Sequence, residues 1–265
     1  MTFAAAARPE RAAQAARSRG DPRNGFTLRA APHVKTFTFA ATWSGRTGPA
    51  MPRISESTVR RLSHYYRVLQ EVEAEGKRLI SSHRLAEREG ITSAQVRKDL
   101  SMFGSFGRRG LGYNVEHLRG EICAILGLDR RWRVALVGAG NIGAALLAYR
   151  GFDELGFDVV AVYDREPGRV GQRLGGLQVL DVAELPRVTA GTYDMGVIAT
   201  PVRAAQDVAD LLVAAGVRGI LNFAPRKLRV PESVALRTVD MAVEFESLSF
   251  ELSRERTARR RKARD

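Results

Sequence analysis

Apolar residues return every three or four positions from Ser55 onward, at Val59, Leu62, Tyr66, Leu69 and Val72, a spacing that predicts an amphipathic helix closed by Gly76. A shorter helix is predicted in SSHRLAEREG, ending at Gly90. In TSAQVRKDLSMF the apolar positions Val96, Leu100 and Phe103 share one face, while Gln95, Arg97, Lys98 and Ser101 fall largely on the other. Thr92 and Gln95 there have the spacing of a capping box. GSFGRRGLGYNV sets glycines 104, 107, 110 and 112 around Arg108 and Arg109, the composition of a tight hairpin. A closing helix is predicted over residues 115–126, with LDRRW as a linker.

Beyond the linker the pattern changes. A short apolar strand at 133–137 runs straight into GAGNIG and then a helical stretch, AALLAYRGF. Strand-like runs follow in DVVAVYD, MGVIAT and GILNFAP, the last two separated by the helical pattern RAAQDVADLLVAAG. Alternation of this kind predicts an α/β domain with a doubly wound parallel sheet. LRTVDM and a helix VEFESLSFELSRER complete it, before the basic run RERTARRRKARD. The expected organisation is a non-globular extension over 1–50, a helical domain with a hairpin over 51–128, a Rossmann-like domain over 129–239, a C-terminal helix over 240–253 and a basic tail over 254–265.

The first fifty residues show no sustained period and end in the turn-prone TWSGRTGP. FAAAA is too short for the apolar region of a signal peptide, and a transit peptide should carry more serine than Ser18 and Ser44. The preferred reading is an extension, or sequence in front of a start at Met51.

Charge sharpens this division. The chain carries a net +13, but residues 131–253 hold 13 basic against 15 acidic side chains, so the excess lies in the flanking regions. A near-neutral ligand domain with a basic periphery is what a chain touching nucleic acid would show. The single cysteine, Cys123, excludes an intrachain disulfide and any thiolate-cluster metal site, and its apolar helical context, GEICAILGL, predicts a packed thiol. No metal site is expected, and a reducing, cytoplasmic setting fits. The weakly charged stretch between Arg133 and Arg150 contains Asn141 and three glycines and falls short of a membrane span, so no membrane partner is expected.

Gly138, Gly140 and Gly143 form GxGxxG between a predicted strand and a predicted helix, and Asp164 ends the next strand 21 residues on. Their physical roles would be a tight turn at Gly138, close backbone approach to a pyrophosphate at Gly140 and helix packing at Gly143. Ala139, Asn141 and Ile142 complete the phosphate-facing turn, whose helix N-terminus favours an anion. Asp164 is expected to hydrogen-bond an adenosine ribose and to favour NAD over NADP, with Arg165 beside it pulling slightly the other way. Thr200, Pro201 and Asn222 follow later strands and should lie at the carboxyl edge of the sheet, where such folds bind ligands. NADH and NAD+ are the expected cofactors. In the first domain, a capped helix bearing Gln95, Arg97 and Lys98 and followed by a basic wing at Arg108 and Arg109 has the order of a winged helix-turn-helix, which points to double-stranded DNA.

The runs RLSHYYRVLQEVEAEG, SAQVRKDLSMFGSFGRRGLGYNV, ILGLDRRWRVALVGAGNIGAAL, ATPVRAAQDVADLLVAAGVRGILNFAP and VDMAVEFESLSFEL closely resemble the Rex family of redox-sensing transcriptional repressors. The resemblance covers nearly all of residues 54–253 in unbroken order. It implies a homodimer whose C-terminal helix is swapped onto the partner, and NADH binding that lowers affinity for operator DNA. It also implies that Asp240, at the start of that helix, lies near the seam between the partner's two domains. Candidate partners there are Arg67 and Tyr149, and the three are read as a switch.

The competing readings are a nicotinamide-dependent oxidoreductase and a coenzyme A-binding module on the same fold. A dehydrogenase needs a second domain or long insertions for its substrate and a proton donor near the hydride. From Arg133 to Leu252 the chain has the length of a lone dinucleotide domain, all four histidines precede it, and no HExxH, GxxxxGK or Ser-His-Asp spacing occurs. No catalytic residue is assigned, and an enzyme is not expected.

Overall fold

The computed structural model describes residues 54–108 and 110–262; the expected N-terminal extension, Arg109, and the side chains of Arg108 and of residues 255–262 lie outside what is described. The first helix, α1 (Glu56–Ala74), starts where the Ser55 side chain accepts the Thr58 N–H. Its apolar stripe of Leu62, Tyr65, Leu69 and Val72 is buried together with Leu118 and Ile122 of α4 (Val115–Ile125). Strand β1 (Leu79–Ile80) leads into α2 (Ser82–Glu89), which ends at Gly90 in the left-handed region.

Helix α3 (Ser93–Ser101) is capped by Thr92, which accepts the Gln95 N–H. The capping box is only half made, because the Gln95 amide turns away and donates to Asp99. The wing is β2 (Gly107–Arg108) antiparallel to β3 (Gly112–Asn114), and β1 pairs on the other edge of β3. Gly112 has φ +82°, and a Cβ there would stand 2.5 Å from the Ile80 carbonyl, so only glycine lets β3 cross β1 so closely.

The second domain is built on β4 (Trp132–Val137), β5 (Phe157–Asp164), β6 (Arg173–Leu174), β7 (Leu177–Asp181), β8 (Met195–Ile198), β9 (Gly219–Asn222) and β10 (Ala235–Thr238). Their order is β10-β9-β8-β4-β5-β7-β6, parallel throughout except for the short β6–β7 hairpin. The chain winds outward from β4 through β5 to β7 and then returns to β8, so the order reverses between β4 and β8. In open α/β sheets that reversal opens a crevice at the carboxyl ends of the strands.

One face of the sheet packs Ala135, Val137, Tyr163, Ile198 and Ile220 with Leu212 of α7 (Ala205–Ala214). The opposite face has a smaller core of Leu136, Val162 and Val179, with Leu146 and Leu147 of α5 (Asn141–Ala148) packed against them. Beside them an apolar groove of about 380 Å³ stays open, lined among others by Val134, Phe152, Phe157, Val197 and Leu221. Past α5 a single helical turn, α6 (Gly151–Glu154), follows the break at Tyr149. The last helix, α8 (Met241–Lys262), continues without interruption beyond residue 253, where the sequence had suggested a boundary; no proline or glycine stands there to stop it.

Candidate dinucleotide cleft and nucleic-acid interface

A cleft of about 640 Å³ opens at the carboxyl edge of the sheet, over the reversal between β4 and β8. Of the residues nominated from sequence, Gly138, Gly140, Asn141, Ile142, Asp164, Thr200 and Pro201 line it. The three glycines do three different things. Gly138 has φ +110°, and a Cβ there would lie 2.4 Å from the Ala199 carbonyl oxygen. At Gly143 a Cβ would lie 1.9 Å from the Gly138 carbonyl oxygen, so the helix could not pack against its own turn. At Gly140 a Cβ meets nothing closer than Arg169 Nη1 at 3.9 Å, so the space in front of it is open to a ligand. Gly140 also caps α5 without any side-chain hydrogen bond, leaving the first N–H groups of the helix available to an anion.

Asp164 is buried at the end of β5, and its carboxylate accepts four hydrogen bonds. Oδ2 accepts the Ala139 N–H at 2.7 Å and Arg169 Nη1 at 3.3 Å; Oδ1 accepts the N–H groups of Arg165 at 2.8 Å and Glu166 at 2.9 Å. Burial works to raise this carboxyl, but the backbone N–H groups of Glu166, Ala139 and Arg165 together with Arg169 outweigh it and hold it below the ordinary carboxylate range. The carboxylate thus ties the glycine-rich turn to β5.

Thr200 lies on the far wall, and its buried hydroxyl has no hydrogen-bond partner among the described residues. An orphaned hydroxyl, an open cradle at Gly140 and free helix N–H groups all fit a phosphate-bearing dinucleotide across the switch point. Three nominated residues stand apart from the cleft lining, and Gly143 is one of them, packed against the turn beneath it. Ala139 contributes its backbone N–H to Asp164, as above. Asn222 departs from the expectation of a cofactor contact: it is fully buried, its amide donates to the Ala224 and Arg226 carbonyls and to Thr238 Oγ1, and its oxygen accepts the Ala224 N–H. Its side chain braces the NFAP turn from beneath, and Phe223, Ala224 and Pro225 form the wall instead. Arg165, Glu166 and Arg169 of the loop after β5, and Arg203 of the 3₁₀ turn after β8, also line the cleft and were not nominated, because no spacing rule marks them.

In the first domain, Ala94, Arg97, Lys98 and Ser101 form the exposed stripe of α3, while Val96, Asp99 and Leu100 are buried. Arg97 donates to Ser82 Oγ at 3.1 Å, across the start of α2. Gln95, expected among the DNA-binding residues, is half-buried and its amide donates to Asp99 Oδ1 at 2.8 Å. Asp99 also accepts both Arg61 Nε at 2.6 Å and Arg61 Nη2 at 2.8 Å, as well as the Tyr65 hydroxyl at 2.8 Å. This network fastens the inner face of α3 to α1 and leaves the basic stripe outward. Arg109 and the Arg108 side chain, the nominated wing contacts, are outside the described residues.

The three switch residues do not meet within one chain. Arg67 is exposed and has no hydrogen-bond or ion-pair partner among the described residues, and the exposed Tyr149 ring packs edge-on against Phe152. Asp240 Oδ1 accepts the Ala242 N–H at the start of α8. Among the described residues no cluster of acidic, histidine or cysteine side chains could hold a metal, and no helix is long and apolar enough to cross a membrane.

Two family models match: "Putative DNA-binding protein N-terminus" over residues 53–101 and "CoA binding domain" over residues 129–226. Among curated proteins, the redox-sensing transcriptional repressor Rex of Carboxydothermus hydrogenoformans is 47% identical over 204 residues, spanning 77% of this chain and 98% of that protein. Among solved structures, RSP in complex with β-NAD+ and operator DNA superposes with a TM-score of 0.73 at 36% identity, covering 80% of this chain and 98% of that one. RSP in complex with β-NADH gives 0.70 at 34% identity, over 79% and 99%.

Proposed function

Since the chain belongs to the Rex family of redox-sensing transcriptional repressors, we propose that it binds operator DNA through its winged helix when NADH is scarce and releases it when NADH fills the cleft of the second domain. The observation that carries this reading is the presence in one chain of a dinucleotide cleft at a topological switch point and a braced helix with an exposed Ala94, Arg97, Lys98 and Ser101 stripe. In this reading residues 51–128 read DNA and residues 129–239 sense NADH against NAD+. The protein is a regulator and not an enzyme, as its relatives are repressors. It works in the cytoplasm, where operator DNA and the nicotinamide pool meet.

The working unit is a homodimer. Met241, Phe245, Leu248, Phe250 and Leu252 all stand exposed on α8, and the thin face of the sheet leaves its apolar groove uncovered. A helix swapped onto the partner supports both surfaces at once, since large contiguous apolar patches are seldom left to solvent. It would also bring Asp240 toward Arg67 and Tyr149 of the partner subunit, where a carboxylate and a guanidinium form charge-assisted hydrogen bonds. Rotation of the two winged domains then breaks the half-site spacing that a dimer requires.

Linkage demands that NADH disfavour operator by the same free energy with which operator disfavours NADH. The deciding measurement is NADH affinity with and without operator at fixed salt, alongside NAD+ and NADPH. Operator should weaken NADH binding, and Arg67→Ala or Asp240→Asn should shrink that coupling more than either affinity alone. Equal NADH affinity with and without operator in the unaltered protein would overturn the sensor; full coupling in both variants would overturn only the switch.

A further inference from the structure

Arg169 belongs to none of the motifs read from sequence, yet its half-exposed guanidinium lines the cleft and is the atom group nearest the open space in front of Gly140. It is held there by Asp164. A carboxylate offers about four acceptor positions, and all four at Asp164 are taken. Three partners are backbone N–H groups, of Ala139, Arg165 and Glu166, which cannot leave without undoing the turn. The fourth is Arg169, on the longest of the four bonds at 3.3 Å and on a flexible side chain. A ribose hydroxyl that donates to Asp164 therefore enters at the expense of Arg169.

We propose that Arg169 is a specificity-determining residue of the dinucleotide cleft, and that the choice between NADH and NADPH is set by the Asp164 and Arg169 pair rather than by Asp164 alone. Two consequences follow, with opposite signs. For NADH, Arg169 competes with the ribose for Asp164 Oδ2. For NADPH, the displaced guanidinium stays at the edge of the ribose seat and meets the 2′-phosphate with a fork of N–H donors, offsetting the repulsion from Asp164. Arg165 is the rival for this role: it lines the same wall, but it touches Asp164 through its backbone N–H.

The inference rests on the cleft being the dinucleotide seat. Calorimetric titration of the full chain with NADH and NADPH, and with ADP against adenosine 2′,5′-bisphosphate, tests both. Arg169→Ala should bind NADPH and the bisphosphate about tenfold or more weakly, the scale of one charge-assisted hydrogen bond. NADH and ADP should bind as tightly as before or more tightly, so the discrimination ratio rises. Arg169→Glu should widen it further, and Arg165→Ala should move it less than Arg169→Ala does. If the unaltered chain binds both dinucleotides and Arg169→Ala keeps their ratio within twofold, or Arg165→Ala carries the change instead, the assignment of Arg169 is overturned while the cleft stands. A purely structural role would lower both affinities together, and that result also overturns it. An unaltered chain that binds no dinucleotide removes the seat itself.

Discussion

Asp99 and Asp164 are the buried carboxylates among the described residues, one in each domain, and each lies directly behind a surface proposed to meet a ligand. They are held in different ways. Asp99 collects side chains, with Arg61, Tyr65 and Gln95 converging on it from two helices. Asp164 collects mainly backbone, three N–H groups from the glycine-rich turn and the start of the next loop. A side-chain network fixes the angle between two helices and can rearrange when a partner changes. A backbone network fixes the path of the chain itself, and its donors cannot reverse. The helix proposed to face DNA therefore stands on a brace that can be tuned, and the turn proposed to face phosphate on one that cannot.

The largest effect should come from Asp99→Ala. It leaves the partly buried Arg61 guanidinium with Thr58 Oγ1 as its remaining acceptor and no counter-charge, and the buried Tyr65 hydroxyl without an acceptor, at a cost of roughly 3 kcal/mol. Thermal unfolding should shift down by several degrees and operator affinity should fall, while NADH titration of the folded protein should be retained. The same variant reports on acid sensitivity. Burial acts to raise the Asp99 carboxyl, but Arg61, Tyr65 and Gln95 together hold it below the ordinary value. A lowered folded-state pKa gives stability that is full above about pH 4 and is lost as pH falls through the folded value. The fall in Tm from pH 5 to pH 2 should be shallower in Asp99→Ala than in the unaltered chain. An equally steep fall would show that the brace contributes nothing through its charge.

Replacing each aspartate by asparagine sharpens the contrast at a smaller scale. At position 99 the new amide N–H₂ can take the Oδ1 side, where Gln95 can turn round to present its oxygen and Arg61 Nη2 keeps Thr58 Oγ1, while the remaining oxygen still accepts Arg61 Nε and the Tyr65 hydroxyl. At position 164 it faces only donors, so at least one buried backbone N–H is left facing another donor, worth about 1 to 3 kcal/mol. Asp164→Asn should thus weaken NADH binding by about tenfold or more, and Asp99→Asn should leave it unchanged. Equal tolerance at the two sites in parallel titrations would erase the distinction drawn between them.

Much of this was legible in the sequence, and what was missed has a common cause. Periodicity marked α1, α3 and the alternation of β4, β5, β8 and β9 with helices, because those elements bury a continuous stripe. Thr92 and the three glycines announced themselves by spacing that only a cap or a tight turn requires. The β6–β7 hairpin and the Val182–Arg187 turn of 3₁₀ helix did not, since Arg173, Gly175 and Gly176 interrupt any run of apolar residues. At the site, sequence places a residue at a strand end but does not say which way its side chain turns. Asp164, Thr200 and Asn222 all occupy carboxyl ends, yet one ties a turn, one lines the cleft with a free hydroxyl and one is buried beneath a loop. Asp99 was hidden for the same reason: a lone acid among Gln95, Arg97 and Lys98 reads as part of a solvated face until α1 supplies its partners.

The smallest expected effect lies at Thr200, and it separates a wall that merely encloses the cleft from one that binds. Its hydroxyl is buried without a partner among the described residues, which is a standing cost to the ligand-free protein. Thr200→Val removes the hydroxyl and keeps the branched shape, so the free chain should be as stable as before or more stable, by up to about 1 kcal/mol. If the hydroxyl is satisfied when a dinucleotide arrives, the same change costs one neutral hydrogen bond in the complex, and NADH affinity should drop by up to about tenfold. The two measurements must move in opposite directions, Tm level or rising and affinity falling. A drop in Tm would mean that the hydroxyl has a structural partner, and an unchanged affinity would mean that the far wall of the cleft contributes shape without a hydrogen bond.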